Sequence, residues 1–195
     1  VFRQLLTSER NLSADFSTLR HALGAGEALP ENIRMSWEDR TGTDIHEALG
    51  MSEISTFVSG APHLIRRTGT VGMPQPGRHI AILEDGAPVD WGETGMLAVH
   101  KSDQGLMLGY HRQNEAPALP LTGDWFETGD RAQLSQDGSL TYAGRADNLI
   151  TAGGYRIAPE EVEAALSSHP DISETAVFGW MRCPNGRTEN WNAKL

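Results

Sequence analysis

Asp137-Gly138-Ser139-Leu140-Thr141-Tyr142-Ala143 is the stretch whose reading decides the fold. An Asp-Gly pair running into a short β-like segment is a hairpin signal, because glycine supplies the positive φ that a tight two-residue turn requires. Outward from it, turn residues recur about every 8 to 12 positions, as in the spacing of short antiparallel strands. They are Gly77, Asp85-Gly86, Gly92, Asp103-Gln104-Gly105 and Gly123-Asp124. Residues 80–83, 96–100 and 140–143 are the β-like runs between them. The rhythm predicts antiparallel strands in a barrel or sandwich from about residue 68 onward.

On either side the pattern changes. Phe2, Leu5 and Leu6 recur at helical spacing, and residues 11–15 read as a loop and cap. An apolar run at 19–23 stops at Gly24-Ala25-Gly26. Pro30 suits a first helical position, and Ile33, Met35 and Trp37 lead from it to a stop at Thr41-Gly42. Residues 43–49 predict a short strand that ends at Gly50-Met51-Ser52-Glu53. Downstream, Gly153-Gly154-Tyr155-Arg156-Ile157 reads as a glycine turn entering a strand. Residues 159–166 read as a short helix with Pro in its first turn and acidic residues that complement its dipole. Residues 175–179 are strand-like. Residues 180–195 hold two of the five Trp and show no period of 2 or 3.6.

Composition narrows the function classes. The 195 residues carry 16 Lys and Arg against 26 Asp and Glu, a net charge of −10. Coating nucleic acid or an anionic membrane needs a basic surface, so neither partner is expected. No apolar run reaches the roughly 18 residues of a membrane-spanning helix. Val1 opens no basic-then-apolar secretory leader. Cys183 is the single cysteine, which excludes a disulfide framework and a cysteine metal cluster. A reducing, cytoplasmic setting is the expectation. The seven His are scattered, and His46-Glu47 lacks the second His of a helical zinc motif. No Ser-His-Asp nucleophile elbow is evident.

Four constellations carry chemistry. Gly24-Ala25-Gly26-Glu27-Ala28-Leu29-Pro30 places small residues ahead of a helix, where a flat ligand can approach the backbone. It is not a dinucleotide fingerprint, since Leu29 occupies the third glycine position. In Gly50-Met51-Ser52-Glu53 a hydroxyl can donate to phosphate, and a carboxylate can hold Mg²⁺ through oxygen. In Trp125-Phe126-Glu127-Thr128-Gly129-Asp130 a carboxylate after a glycine can accept both hydroxyls of a ribose. In Gly144-Arg145-Ala146-Asp147 a fixed cation suits ribose or phosphate oxygens. Taken singly, each has a plain structural reading: a helix-capping turn, a solvated Glu, a turn Asp, a glycine hairpin.

In order and spacing together, they resemble the adenylate-forming superfamily of acyl-CoA synthetases, aryl-CoA ligases, peptide-synthetase adenylation domains and luciferases. Residues 24–30 are similar to its adenine loop, and Leu49-Gly50-Met51-Ser52-Glu53 to its Tyr-Gly-x-Thr-Glu motif. Gly92-Glu93-Thr94-Gly95 with Met107-Leu108-Gly109-Tyr110 is similar to its middle β motif. Residues 125–130 resemble its ribose motif, and residues 144–163 its hinge and following hairpin and helix. The likeness runs from about residue 1 to about 179.

The resemblance implies a mixed α/β and β fold. Residues 1–75 would be the end of a large α/β domain and residues 76–146 a distorted antiparallel β-barrel. Residues 147–179 would start a small α+β C-terminal domain, with an atypical tail over 180–195. It implies ATP, a carboxylic acid and CoA as substrates, with Mg²⁺. Gly26 and Glu27 would line the adenine slot beside Leu49, which stands where the family has an aromatic Tyr. Ser52 would donate to phosphate, Glu53 would hold Mg²⁺, and Asp130, helped by Arg145, would bind the ribose. Asp147 would be the hinge, and Gly153, Gly154 and Tyr155 would line the thiol tunnel. The family's phosphate loop and its C-terminal catalytic lysine have no counterpart here: Lys194 is in another context and Lys101 lies in the β region. The expectation is a fragment of an acid–thiol ligase, inactive alone. The alternatives are a non-catalytic remnant with a partial nucleotide site, or a piece of a carrier-protein adenylation domain.

Overall fold

The structure is a computed structural model that describes residues 1–7, 16–64, 66–112, 121–152, 155–167, 169, 171–172 and 175–179. Helix α1 (Phe2–Thr7) leads to β1 (Ala22–Ala25), α2 (Glu31–Thr41) and β2 (Ile45–Met51). β1 and β2 are parallel, with Ala22 opposite Ile45 and Ala25 opposite Ala48. A parallel pair requires a crossover connection, and α2 supplies it. Pro30 stands one position earlier than the sequence suggests. Its ψ of 133° is extended, so it is the N-cap, and its carbonyl accepts the N–H of Ile33 at 3.0 Å and of Arg34 at 3.2 Å. The helix stops where expected, at Gly42, whose N–H returns to the Glu38 carbonyl at 2.8 Å. Trp37 closes this end, with the rings of Phe2 and Phe16 edge-on at 5.1 and 5.5 Å. The loop expected at 11–15 lies outside the described residues.

β3 (Ser55–Ser59) and β4 (Met73–Pro74) complete a four-stranded sheet in the order β1-β2-β3-β4. The second sheet contains β5 (Ile80–Glu84), β6 (Ala87–Pro88), β7 (Thr94–His100), β8 (Leu121–Thr122), β9 (Trp125–Leu134) and β10 (Leu140–Arg145). Its order is β10-β9-β7-β5-β6, with β8 also on β9, and every pairing is antiparallel. The path is a curled half-barrel, and no pairing of β6 with β10 closes it among the described residues. The sheets meet at Leu140, which exchanges backbone bonds with Val71 and Gly72 at 2.9 and 2.8 Å. Between them lies the core: Ile54, Phe57 and Val58 against Ile82, Leu97, Val99, Phe126 and Leu140.

The Asp-Gly turn is present between β9 and β10, and Asp137 Oδ1 accepts the Ser139 N–H at 3.1 Å. β11 (Ile150–Ala152) and β12 (Tyr155–Ile157) form a separate antiparallel pair, followed by α3 (Pro159–Ser167). Residues 175–179, read as strand-like, are not a strand. The Val177 N–H goes to Glu163 Oε1 at 2.8 Å instead of to a ladder, and Gly179 lies against the Ile150 side chain. No described helix is long and apolar enough to cross a membrane.

Candidate functional site

Alternate residues of β9 turn inward: Phe126, Thr128, Asp130 and Ala132 are buried. A carboxylate in that row is costly unless paired, and Asp130 is only 7% exposed. Its partners come from β10. The Tyr142 hydroxyl donates to Asp130 Oδ1 at 3.2 Å, and Arg145 Nη1 lies 3.5 Å from the same oxygen. Tyr142 and Arg145 are three apart, an odd step, and would face opposite sides of a regular strand. The register shifts between them, from Tyr142 opposite Ala132 to Arg145 opposite Asp130. That β-bulge places both on Asp130.

Two glycines make the arrangement possible. At Gly129 (φ +77°) a Cβ would lie 2.8 Å from Arg145 Nη2, so the guanidinium occupies that space. At Gly144 (φ +90°) a Cβ would meet Glu160 Oε2 at 2.7 Å. The Asp130 backbone is fixed as well: its N–H donates to Thr128 Oγ1 at 3.1 Å, and that hydroxyl donates to the Leu97 carbonyl at 2.9 Å.

Arg145 is shared. Nη1 donates to the Thr128 carbonyl at 3.1 Å, while Nε and Nη2 grip Asp147 at 3.0 and 3.3 Å. The bond from Arg145 holds the exposed Asp147 carboxyl below its ordinary value, and Asp147 in turn raises Arg145. Burial pushes the Asp130 carboxyl up, against the opposing pull of the Arg145 charge and of its hydrogen bonds. Burial, then the Asp130 charge, raises Tyr142, so its hydroxyl stays a donor. The cluster is a desolvated carboxylate acceptor beside a fixed cation, suited to a neutral pair of hydroxyl donors.

The other sequence-derived residues lie elsewhere on the framework. Gly26 and Glu27 follow β1 and Leu49 lies on β2. With Ala25 opposite Ala48, these positions leave the carboxyl end of the parallel pair together, the edge where open α/β sheets bind ligands. Gly26 and Glu27 are exposed, and Gly26 has φ +95°. The loop between them and α2 is pinned, since the Leu29 N–H donates to Glu47 Oε1 at 3.1 Å and Glu47 is ion-paired with the buried Arg34. Leu49 is partly buried against the core. Ser52 is exposed in the turn after β2. Glu53 Oε1 accepts the Tyr110 hydroxyl at 2.8 Å, and this bond raises the Tyr110 hydroxyl pKa. Gly153 and Gly154 lie outside the described residues, and Tyr155 is placed on β12 by its backbone alone. Lys101 is committed to Asp124, Nζ to Oδ1 at 2.5 Å.

Sequence reasoning missed Thr128, Tyr142 and Tyr110 as parts of the site. Tyr142 had a usable signal. Counting back from the Asp137-Gly138 turn sets it across from Ala132, diagonal to Asp130 on the neighbouring strand, within reach of a long side chain. Tyr110 stood in the motif read at residues 107–110, but nothing local paired it with Glu53, 57 residues away and five strands earlier.

Among the described residues no group of three or more His, Cys, Asp or Glu is arranged to hold a metal ion. A cation at Glu53 would therefore rest on one carboxylate, with water and ligand oxygens completing its shell. Mg²⁺ accepts that arrangement, and the hard oxygen donors of Ser52 and Glu53 fit it.

The family described as AMP-binding enzyme matches residues 1–111. The mitochondrial acyl-coenzyme A synthetase ACSM3 of Mus musculus is 33% identical over 181 residues, 91% of this chain and 31% of that protein. A long-chain-fatty-acid–CoA ligase of Haemophilus influenzae is 32% identical over 190 residues, 96% of this chain and 34% of that protein. Among solved structures, the anthranilate CoA ligase AuaEII in complex with anthranoyl-AMP matches with a TM-score of 0.78 at 33% identity. That match covers 94% of this chain and 35% of the other. The chain spans about a third of the length of the relatives it matches.

Proposed function

The chain belongs to the family of AMP-binding enzymes, and from that premise we propose that it carries the ribose, metal and hinge groups of an ATP-dependent acid–thiol ligase. In that reaction a carboxylate attacks the α-phosphorus of ATP and pyrophosphate leaves. A thiol, here CoA, then attacks the acyl carbon of the adenylate and AMP leaves. The observation that carries the reading is the Asp130 cluster. A carboxylate placed in the buried row of β9, at a cost to folding, and rimmed by Tyr142 and Arg145 is arranged to accept two hydroxyl donors. The ribose diol of ATP is the matching group.

Glu53 and Ser52 would hold Mg²⁺ and phosphate, Mg²⁺ serving to offset phosphate charge. Gly26, Glu27 and Leu49 would flank adenine, with Leu49 giving an aliphatic face. Gly153, Gly154 and Tyr155 would line the thiol path, and Asp147 would be the pivot between the two half-reactions. Its two-point grip on Arg145 supports that role, because turning at Asp147 also moves the cation beside Asp130. CoA is favoured over a carrier protein by Glu47-Ala48-Leu49-Gly50-Met51-Ser52-Glu53, which departs from the Asn-x-Tyr-Gly-Pro-Thr-Glu form of peptide synthetases. The acid is an aryl or fatty carboxylic acid, the classes named for the relatives.

The test is acid-dependent ATP–pyrophosphate exchange in the longest natural polypeptide that carries these residues. Asp130→Ala lowers exchange far more than Asp137→Ala, which removes a turn carboxylate. Equal rates for the two variants would overturn the ribose assignment.

A further inference from the structure

Away from that site, two histidines and a serine meet at the edge of the β5–β7 pair of the second sheet. His79 precedes β5 and His100 ends β7. Since Ile80 lies opposite Val99, His79 and His100 are the next opposed pair, joined by the His100 N–H to the His79 carbonyl at 2.9 Å. Both imidazoles aim Nδ1 at one oxygen: Ser102 Oγ is 2.7 Å from His100 Nδ1 and 3.2 Å from His79 Nδ1.

The tautomer of His100 follows from its neighbours. The Ser102 backbone N–H donates to His100 Nδ1 at 3.3 Å, so Nδ1 carries the lone pair and Nε2 the proton. His100 Nε2 is 4.0 Å from Asp124 Oδ2, and Trp125 holds the ring edge-on at 5.0 Å. The other Asp124 oxygen takes Lys101 Nζ at 2.5 Å. His100 thus turns its Nε2 side toward a carboxylate and its Nδ1 lone pair toward Ser102, the same polarity found in histidines that hold metals.

We propose that His79 and His100 form a two-imidazole chelate for a borderline divalent transition metal ion such as Zn²⁺, bound through both Nδ1 atoms. The bound ion takes the position between the imidazoles now bridged by the Ser102 hydroxyl, and water fills its remaining sites. Imidazole nitrogen suits Zn²⁺ and Cu²⁺ and selects against Mg²⁺, which prefers oxygen. The reach is short: each Zn–N bond is about 2.0–2.1 Å, and both nitrogens already converge on one atom. The site is independent of the proposed ligase reaction, whose residues lie elsewhere.

Zn²⁺ titrated into the purified chain, followed by calorimetry, tests this. His79→Ala and His100→Ala each weaken the site by about tenfold or more, and Asp124→Ala, which removes the carboxylate behind His100, by about tenfold. His21→Ala and Cys183→Ser leave it unchanged, and excess Mg²⁺ does not compete. Long-range ¹H–¹⁵N spectra of the unsubstituted chain show the Nδ1 resonances of His79 and His100 shifting together with Zn²⁺. No Zn²⁺ binding, binding that survives either histidine substitution, or spectra in which those two imidazoles stay put would each overturn the proposal.

Discussion

The β9–β10 hairpin and the β1–α2–β2 unit both present candidate ligand groups, and packing and charge share the work of holding them differently. In the hairpin the polar residues are islands in a packed interior: Phe126, Ala132 and Leu140 are nearly inaccessible. The parallel unit buries a smaller apolar set, Trp37, Ile45 and Ala48, while its Leu23 and Met35 are 61% and 57% exposed and Arg34, a cation, is 5% exposed. There the loop before α2 hangs on charge, from Leu29 N–H to Glu47 to Arg34. Packing is non-directional and spread over many contacts, whereas a polar chain depends on each of a few directional links. One region should melt with the whole protein and the other should open locally.

Substitutions can break that contrast. The largest effect is expected from Phe57→Ala, which empties the centre of the packed interior. A loss of about 3–5 kcal/mol in urea unfolding is expected, and a small loss would mean that the interior is looser than drawn. Next is Asp103→Ala, at about 3 kcal/mol. The Asp103 side chain is 1% exposed, and it accepts from the His79 and Gly105 N–H groups and from Arg78. Burial alone would raise its carboxyl, but those bonds outweigh it and hold the carboxyl below the ordinary value. A lowered folded pKa adds stability that is complete above the unfolded value, about 3.9, and is lost as pH falls through the folded one. Wild-type stability should therefore drop below about pH 4 more steeply than that of Asp103→Ala.

Arg34→Met sharpens the comparison. About 2 kcal/mol of charge-assisted bonding is lost, and hydrogen exchange should quicken first at the Leu29 amide while amides of β9 stay protected. Equal acceleration in both places would merge the two regions into one. The smallest effect is expected at Leu23→Ser, within about 0.5 kcal/mol in thermal unfolding.

Much of this was legible in the sequence where a local rule decided the outcome. Asp137-Gly138 fixed a turn, Gly42 a helix end, and the runs around 80–83, 96–100 and 140–143 became β5, β7 and β10. Asp130 and Arg145 could be singled out because glycines beside charged residues mark close approach. What escaped depends on distant partners. β1 contains Gly24 and Ala25, poor strand formers that read as a stop, yet its parallel neighbour β2 makes it a strand. Residues 175–179 have strand composition, but a Glu163 side chain takes the Val177 N–H that a ladder would use.

The bulge between Tyr142 and Arg145 carries one more consequence. Were the ladder to run unbroken past Tyr142, Arg145 would fall opposite Gly129 and not Asp130. It would turn to the far side of the sheet, and Asp130 would keep its phenol and lose its cation. Deleting Ala143 would instead leave Tyr142 and Arg145 an even two apart, so a straightened hairpin would hold both on Asp130. By the grammar of sheets the bulge is a fault. For Asp130 it works like a second frameshift that puts an odd spacing back into frame.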